Sequence, residues 1–230
     1  MGKLKMGIKS LFRTGFFDIF GATIINSIVS FVYGIFIIRV LTKSDYGTFS
    51  YVQNILNFGF MFCSLGGNVG VLQFCSEATA SIPKRYSYSR FAYHLGTIGS
   101  IIVFIIMMLY TRIDSSGIDN LTFYVAEFAL LPFLYFIKEW ITANLRWQLK
   151  NREYAIVLNV HSVLNAVLAV LGAYFWGIQG VILGIYGSYV GACFVGGIFL
   201  RNGGYSGIKK AEQLDSIQKR RFLQYSITMC

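Results

Sequence analysis

Residues 154–200 read YAIVLNVHSVLNAVLAVLGAYFWGIQGVILGIYGSYVGACFVGGIFL, a stretch of 47 residues without a Lys, Arg, Asp or Glu. A helix crosses the hydrocarbon core of a bilayer with about 20 apolar residues. The stretch is therefore too long for one crossing and long enough for two. Trp176-Gly177-Ile178-Gln179-Gly180 lies midway along it and is the predicted turn. We predict two membrane-spanning helices here, at about 154–175 and 179–200.

Four further segments of crossing length precede this pair. They lie at about 17–38, 47–75, 91–111 and 120–138. The first includes twenty uncharged residues from Ile19 to Ile38, which is longer than the roughly 7–15 apolar residues of a signal-peptide core. All these runs are continuously apolar, whereas the strands of a membrane β-barrel alternate over about ten residues. The sequence therefore predicts an all-α integral membrane protein with a six-helix transmembrane bundle.

Two of the segments contain residues that disturb a straight helix. Gly66-Gly67-Asn68, near the far end of the second segment, predicts a break, a tilt or a packed interface. The fourth segment is interrupted by Glu127 and Pro132. After the sixth segment, residues 201–221 form a predicted basic cytoplasmic linker, and residues 222–230 look like the start of a seventh span.

The basic residues are distributed unevenly between the connections. Only Arg39, Lys43 and Arg112, of the 20 Lys and Arg, lie outside four alternate connections. Basic residues are retained in the cytoplasm during insertion, so we predict that both termini are cytoplasmic. Lys138-Glu139 and Arg152-Glu153 are accordingly interpreted as solvated helix ends. The remaining basic residues are Lys3, Lys5, Lys9, Arg13, Lys84, Arg85, Arg90, Lys138, Arg146, Lys150, Arg152, Arg201, Lys209, Lys210, Lys219, Arg220 and Arg221.

The composition excludes several classes of function. The chain is 55% hydrophobic and 13% charged, whereas soluble domains contain about 25% charged residues. A net charge of +10 is explained by attraction to anionic membrane lipids, so we expect no nucleic acid partner. The cysteines and histidines lack the spacing of a metal site, and no phosphate-binding glycine loop or catalytic motif is found. We expect neither a metal nor a cofactor, and no enzymatic activity.

Small residues are spaced so that they share helix faces. Gly180, Gly184, Gly187 and Gly191 follow one another at steps of four, three and four residues, which places them on one face. Gly66 and Gly70 form a second pair of this kind. Such stripes allow two helices to approach closely. We interpret both as helix-packing surfaces, with a moving or substrate-lining face as the alternative.

Polar side chains inside the predicted spans are candidates for function, because each is costly in hydrocarbon. Glu127 is the only acid well inside a span; it either faces a polar cavity or is a partnered structural acid. Arg39 ends the first span and either snorkels to headgroups or lines a cavity that attracts an anionic substrate. Gln53 with Asn57, and His161 with Asn165, are pairs at i,i+4 that share a face. They indicate either interhelical hydrogen bonds or a hydrated vestibule for a ligand that carries sugars.

Three motifs add a resemblance to a known family. Residues 37–50, IIRVLTKSDYGTFS, resemble the first external turn of bacterial polysaccharide flippases for O-antigen and exopolysaccharide, in which Arg-x-Leu leads to Glu/Asp-Tyr-Gly. Residues 65–77, LGGNVGVLQFCSE, are similar to the end of the second span in that family. The turn GIQG at 177–180 matches its Gly-x-x-Gly turn between spans five and six. The family belongs to the multidrug/oligosaccharidyl-lipid/polysaccharide exporter superfamily.

The resemblance implies a function and a fold of two lobes, of which this chain covers the N-terminal one. The implied substrate is a polyprenyl-pyrophosphate-linked oligosaccharide, carried across the bacterial cytoplasmic (inner) membrane for surface polysaccharide biosynthesis by alternating access. Arg39 is the implied pyrophosphate contact, and Gln53, Asn57, Glu127 and Asn165 would form the polar wall. Membrane lipids, and a glycan polymerase or glycosyltransferases of the same pathway, are the implied partners.

Other functions stay open from the sequence. Since the chain stops nine residues into the predicted seventh span, we expect a partial chain. A cation-coupled multidrug exporter lobe is one alternative, and it would need acids such as Glu127. An inactive or non-transporting membrane fragment is the other.

Overall fold

The computed structural model describes residues 16–77, 81–113, 117–118, 120–202 and 212–228, and within these ranges it is all-α without strands. The N-terminal basic residues, Cys230 and residues 203–211 of the predicted linker lie outside the described residues. The helices are α1 (Phe16–Val40), α2 (Lys43–Cys63), α3 (Gly67–Ser76), α4 (Ile82–Ile113), α5 (Leu121–Phe128), α6 (Leu131–Trp147), α7 (Asn151–Asn202) and α8 (Ser216–Thr228).

Five stretches of the described chain are long and apolar enough to cross a membrane. They are Ile19–Val40, Lys43–Ser76, Ile82–Ile113, Leu121–Trp147 and Asn151–Asn202. Their outer surface is apolar: Phe31, Phe58, Ile106 and Phe194 are each more than half exposed. A contiguous apolar surface of this kind fits a lipid environment and not water. The all-α class predicted from the sequence is therefore confirmed. The apolar segments form five continuous stretches, because the last two predicted segments both lie in Asn151–Asn202.

Helix α7 is a hairpin of two antiparallel arms. Trp176 (φ −135°, ψ 16°) and Gly177 (φ 58°, ψ −137°) leave the helical conformation, at the predicted turn. The positive φ of Gly177 lies where residues with a Cβ are strained. The arms then run back along each other, because Gly180 packs on the backbone of Gly172, and a Cβ on Gly184 would lie 2.5 Å from the Ala169 nitrogen.

The second apolar stretch breaks where the sequence predicts it. Leu65 (φ 46°) and Gly66 (φ 69°) adopt left-handed conformations between α2 and α3. The notch that this leaves along Gly66 and Gly70 is filled by α8, since Gly66 faces the backbone of Ser226 and a Cβ on Gly70 would lie 2.5 Å from Phe222 Cζ. Phe222 is fully buried there.

The fourth stretch extends well beyond its predicted end at residue 138. Helix α5 ends at Phe128, and α6 restarts at Leu131 with Pro132 in its first turn, where a missing N–H is tolerated. Helix α6 then continues to Trp147. Lys138 consequently lies in the middle of α6 and is only 6% exposed. The interpretation of Lys138 as a solvated helix end is wrong, because the apolar face of α6 continues past it.

The helices form one bundle in which α7 is central. Helix α1 packs mainly on α7, α7 packs on α6, and α6 packs on α3 and α4. Helix α2 packs on α4 and α6 and makes few contacts with α1 or α7. A gap therefore remains between α2 on one side and α1 with α7 on the other.

A buried hydrogen-bond network joins α4 and α6. Ser89 Oγ donates to Asn144 Oδ1 at 2.7 Å, and Trp147 Nε1 donates to the same oxygen at 2.9 Å. Asn144 Nδ2 donates to the Trp140 carbonyl at 2.7 Å. Both Asn144 and Ser89 are fully buried. Satisfied buried networks of this kind hold a core in one arrangement.

Candidate functional site

The gap beside α2 is a small cavity, which we name the central cavity. It has a volume of about 70 Å³, enough for a few water molecules. Five helices contribute to its wall, from α1, α2, α5, α6 and both arms of α7. Its lining residues are Tyr33, Gln53, Leu56, Phe60, Phe128, Leu131, His161, Asn165, Ile185 and Tyr189.

The polar side chains of the central cavity have unused hydrogen-bonding capacity. Tyr33 Oη, His161 Nε2 and Asn165 Oδ1 are buried and have no hydrogen-bond partner among the described residues. A buried polar group without a partner costs about 1–3 kcal/mol. Asn144, in the network between α4 and α6, carries no such cost. Asn144 is therefore a structural residue, whereas Asn165 is positioned to contact water or a ligand.

Lys138 lies behind one wall of the central cavity. Its Nζ is 2.8 Å from Glu139 Oε1 and lies over two aromatic rings, 5.3 Å from the centroid of Tyr135 and 5.5 Å from that of Tyr189. A cation over an aromatic face gains about 2 kcal/mol when water is excluded. The ring of Tyr189 also contacts His161, with centroids 4.4 Å apart. Tyr189 therefore joins the buried ammonium group to the cavity.

The structure brings together some of the site residues predicted from the sequence. Gln53 and Asn165 both line the central cavity. Asn57 lies one turn further along α2 and is exposed. Glu127 is half-buried, with its Oε2 lacking a hydrogen-bond partner among the described residues. It precedes Phe128 of the cavity wall, and its carbonyl accepts a hydrogen bond of 2.7 Å from Tyr186.

Arg39 is separate from the central cavity. It lies exposed in the last turn of α1 and is not among the residues of the cavity wall. Three residues later, Thr42 caps α2: its Oγ1 accepts a hydrogen bond from the Asp45 amide at 3.2 Å and donates one to Asp45 Oδ2 at 2.8 Å. Arg39 thus lies at the end of α1, just before the capped start of α2.

A polar cleft opens at the same end of the bundle as Thr42. It has a volume of about 440 Å³, and its wall includes Ser44, Asp45, Thr48 and Tyr124. Ile178, just after the turn of α7, also belongs to this wall. The helix ends that carry Lys84, Arg85, Arg90, Arg152 and Arg201, which we call the basic helix ends, lie at the opposite end of the bundle, because α4 and the first arm of α7 run from there toward the cleft.

The predicted glycine stripes lie at close helix contacts. Gly187 and Gly191 of the second α7 arm face the first arm, where a Cβ would lie 3.0 Å from Leu168 Cδ1 and 2.5 Å from Leu164 Cδ1 respectively. Gly180 and Gly184 face the backbone of the same arm, and Gly66 and Gly70 face α8. The α7 stripe brings His161 and Asn165 on one arm toward Tyr189 on the other.

Sequence reasoning missed Lys138 together with Tyr33, Tyr135 and Tyr189. Lys138 was missed because its charge was taken as the end of a span. Pro132 was the available signal, since a proline favours the first turn of a helix, and a helix that restarts there places Lys138 near its middle. Tyr135 then lies three residues before Lys138, on the same face.

The residues that line the central cavity are neutral, and the buried ammonium group of Lys138 behind its wall is paired with the Glu139 carboxylate. Within the described part of the chain, no group of three His, Cys, Asp or Glu side chains could hold a metal ion. The arrangement can attract an anion through Lys138 and can exchange hydrogen bonds with hydroxyl groups through Gln53, His161 and Asn165. These are binding properties.

Comparison with known proteins gives one match. A family model described as polysaccharide biosynthesis protein matches residues 12–230. No curated protein and no solved structure matches the chain. The repeated apolar helices make the chain a multi-pass membrane protein. Since the family model covers nearly the whole sequence, the chain belongs to the polysaccharide biosynthesis protein family.

Proposed function

We propose that this chain carries polyprenyl-pyrophosphate-linked oligosaccharides across the bacterial cytoplasmic membrane during surface polysaccharide biosynthesis. In this proposal the two arms of α7 cross separately, which gives six crossings with both termini in the cytoplasm. The basic helix ends, including Arg85, Arg90, Arg152 and Arg201, then face the anionic cytoplasmic leaflet. The chain acts as a transporter and not as an enzyme, as is typical of its family.

The observation that carries the proposal is the buried ammonium group of Lys138. A charge in the middle of a membrane helix is costly, and such residues mark substrate or ion pathways. Glu139 and the rings of Tyr135 and Tyr189 offset part of that cost. A lysine binds phosphate as a point charge, so Lys138 is positioned to attract the pyrophosphate. Arg39, at the opposite end from the basic helix ends, would then contact the pyrophosphate near the outer leaflet.

The polar atoms of the central cavity that lack hydrogen-bond partners among the described residues support the proposal that the substrate carries sugars. An oligosaccharide carries hydroxyl groups that both donate and accept hydrogen bonds, as do the amides of Gln53 and Asn165. A volume of about 70 Å³ is too small to hold a sugar unit of an oligosaccharide. Transport therefore requires α2 to separate from α1 and α7. The few contacts between these helices allow that separation, in keeping with alternating access. Asn57 and Glu127 would join the wall of the opened cavity.

The test replaces Lys138 and measures transport. Lys138→Ala should reduce flipping of a fluorescent lipid-linked oligosaccharide in proteoliposomes at least tenfold, whereas Lys138→Arg, which keeps the charge, should retain more activity than Lys138→Ala. Lys84→Ala is the matched control, because it removes a lysine from the basic helix ends and should leave flipping unchanged. Arg39→Ala tests the second contact in the same assay. Equal flipping by Lys138→Ala and the wild type, at equal amounts of folded protein, would remove Lys138 from the mechanism.

A cation-coupled multidrug exporter is the second candidate function. The Oε2 atom of Glu127 favours it, because it has no hydrogen-bond partner among the described residues and a buried carboxylate oxygen can bind a cation. The wall of the central cavity opposes it, because in the described part of the chain that wall carries no acidic side chain that would attract a cationic drug. Resistance of cells to ethidium, lost in Glu127→Gln, would support the exporter. A purified protein that moves neither dye nor lipid-linked sugar would indicate a non-transporting membrane protein.

A further inference from the structure

A second cleft, at the basic end of the bundle, is separate from the central cavity. It lies between α4 and the chain that leads into α8 and has a volume of about 270 Å³. Arg90 and His94 line it from one face of α4, four residues apart, and Lys219 lines it from α8. Phe91 and Leu214 provide its apolar surface. We call it the headgroup cleft.

The charges of the headgroup cleft leave one positive charge uncompensated. Arg90 and Lys219 are exposed, and among the described residues neither takes part in an ion pair. Glu212 is the one acid of the wall. Its carboxylate accepts a hydrogen bond of 3.3 Å from Ser81 Oγ, and its carbonyl accepts one of 2.5 Å from Ser87 Oγ. The two cations and the one anion of the wall, Arg90, Lys219 and Glu212, give a formal net charge of +1.

The position of Arg90 along α4 matches the level of lipid headgroups. Helix α4 has 32 residues and is therefore about 48 Å long, whereas the hydrocarbon core is about 30 Å thick. About twenty residues counted back from Thr111, the last residue before Arg112, fill that core and reach Ala92. Arg90 then lies just outside the hydrocarbon. Nearby, Tyr86 and Trp147 form an edge-to-face pair with centroids 5.7 Å apart, and such aromatic residues favour the membrane interface.

We propose that the headgroup cleft binds an anionic phospholipid of the phosphatidylglycerol type. The lipid phosphate lies between the Arg90 guanidinium and the Lys219 ammonium groups. The glycerol hydroxyls of the headgroup donate to the Glu212 carboxylate. Phe91 and Leu214 contact the first carbons of the acyl chains. The proposal depends on membrane insertion and is independent of the transported substrate.

The net charge of the cleft decides between the common phospholipids. Phosphatidylglycerol carries one negative charge and neutralises the cleft. Phosphatidylethanolamine has no net charge, and its ammonium group would meet Arg90 and Lys219 as well as Glu212. Phosphatidylcholine has no headgroup donor for Glu212. Free inorganic phosphate would lack the apolar contacts with Phe91 and Leu214.

The experiment measures lipid binding by the purified full chain in mild detergent with native mass spectrometry. Phosphatidylglycerol, phosphatidylethanolamine and phosphatidylcholine with identical acyl chains are titrated separately, and a parallel titration adds inorganic phosphate as competitor. Removing both cleft cations with Arg90→Gln and Lys219→Gln should weaken phosphatidylglycerol binding about tenfold or more. The matched control, Arg152→Gln with Arg201→Gln, removes the same charge from the same end of the bundle, on α7, which packs on neither α4 nor α8. It should change binding less than about twofold, because salt screens exposed charges over a distance of roughly 10 Å.

A third variant tests whether misfolding explains a loss of binding. Glu212→Gln raises the net charge of the cleft and should tighten phosphatidylglycerol binding, a gain that an unfolded protein does not produce. Three results would overturn the proposal: equal losses in the cleft and control variants, no preference of the wild type for phosphatidylglycerol over phosphatidylethanolamine, or displacement of the lipid by millimolar phosphate. Lipid binding and sugar flipping are measured separately, so either proposal can fail alone.

Discussion

Replacing Gly184 with alanine should destabilise the protein, whereas the same replacement at Gly197 should not, although both residues lie in the second arm of α7. A Cβ on Gly184 would lie 2.5 Å from the Ala169 nitrogen, and nothing lies within 4 Å of the corresponding position on Gly197. Non-bonded heavy atoms prefer separations of about 3.5–4.0 Å. The obstacle at Gly184 is backbone, so the two arms would have to separate by about 1 Å.

Two opposing terms set the magnitude of the change. Overpacking a well-packed contact costs about 1–3 kcal/mol, and alanine gains up to about 1 kcal/mol over glycine inside a helix. Gly184→Ala should therefore lower the free energy of unfolding by up to about 2 kcal/mol. Gly197→Ala should leave it unchanged or raise it by up to about 1 kcal/mol. Gly187→Ala should fall between them, because its Cβ would lie 3.0 Å from the flexible end of Leu168.

The assay is equilibrium unfolding of detergent-solubilised protein by increasing fractions of dodecyl sulfate, followed by helical circular dichroism. The three alanine variants differ from one another only in position, so differences in expression or in detergent are shared. Equal unfolding curves for Gly184→Ala and Gly197→Ala would refute the close approach of the two arms. The order Gly197, Gly187, Gly184, from most to least stable, would support it.

Three further predictions concern one helix cap and two buried contacts. Thr42→Ala removes the side-chain cap of α2 and should lower the free energy of unfolding by about 1 kcal/mol, and Thr42→Ser should restore it in the same unfolding assay. Asn144→Ala leaves Ser89 Oγ and Trp147 Nε1 without their shared acceptor and should cost about 2–4 kcal/mol, seen as a lower melting temperature; an unchanged melting temperature would contradict the network. Phe222→Ala empties the notch beside α3 and should cost about 3–5 kcal/mol, measured as faster trypsin cleavage after Lys219, while wild-type cleavage rates would argue against the burial of Phe222.

The length of the apolar runs and their glycines predicted much of the fold. The stretch 154–200 exceeds one crossing, and Trp176 to Gly180, which contains two glycines, lies midway along it, so the turn at Gly177 could be found. The break at Gly66 was foreseen for the same reason. The end of α6 was not, because Lys138 carries the same charge whether it lies in water or over two aromatic rings. Only the neighbouring rings distinguish the two cases, and they are set by packing.

The candidate site was less accessible to sequence reasoning. Asn144 and Asn165 are both asparagines in apolar helices, and nothing local tells which one has its hydrogen bonds satisfied. Ser89, which makes that difference, is 55 positions away from Asn144. Tyr189 was missed because a tyrosine in an apolar run is usually part of a core, and its contacts with Lys138 and His161 depend on the antiparallel register of the α7 arms.

The contact between Phe222 and Gly70 can form only late in the synthesis of the protein. The two residues are separated by roughly 150 positions, and a ribosome adds about 5–20 residues per second. The notch along α3 therefore exists for about 8–30 s before its occupant has been synthesised. During that interval the backbone at Gly66 and Gly70 is open to other small-residue helices, including those of neighbouring chains in the membrane. Once α8 has been made, it covers this surface, and other helices can no longer pack there.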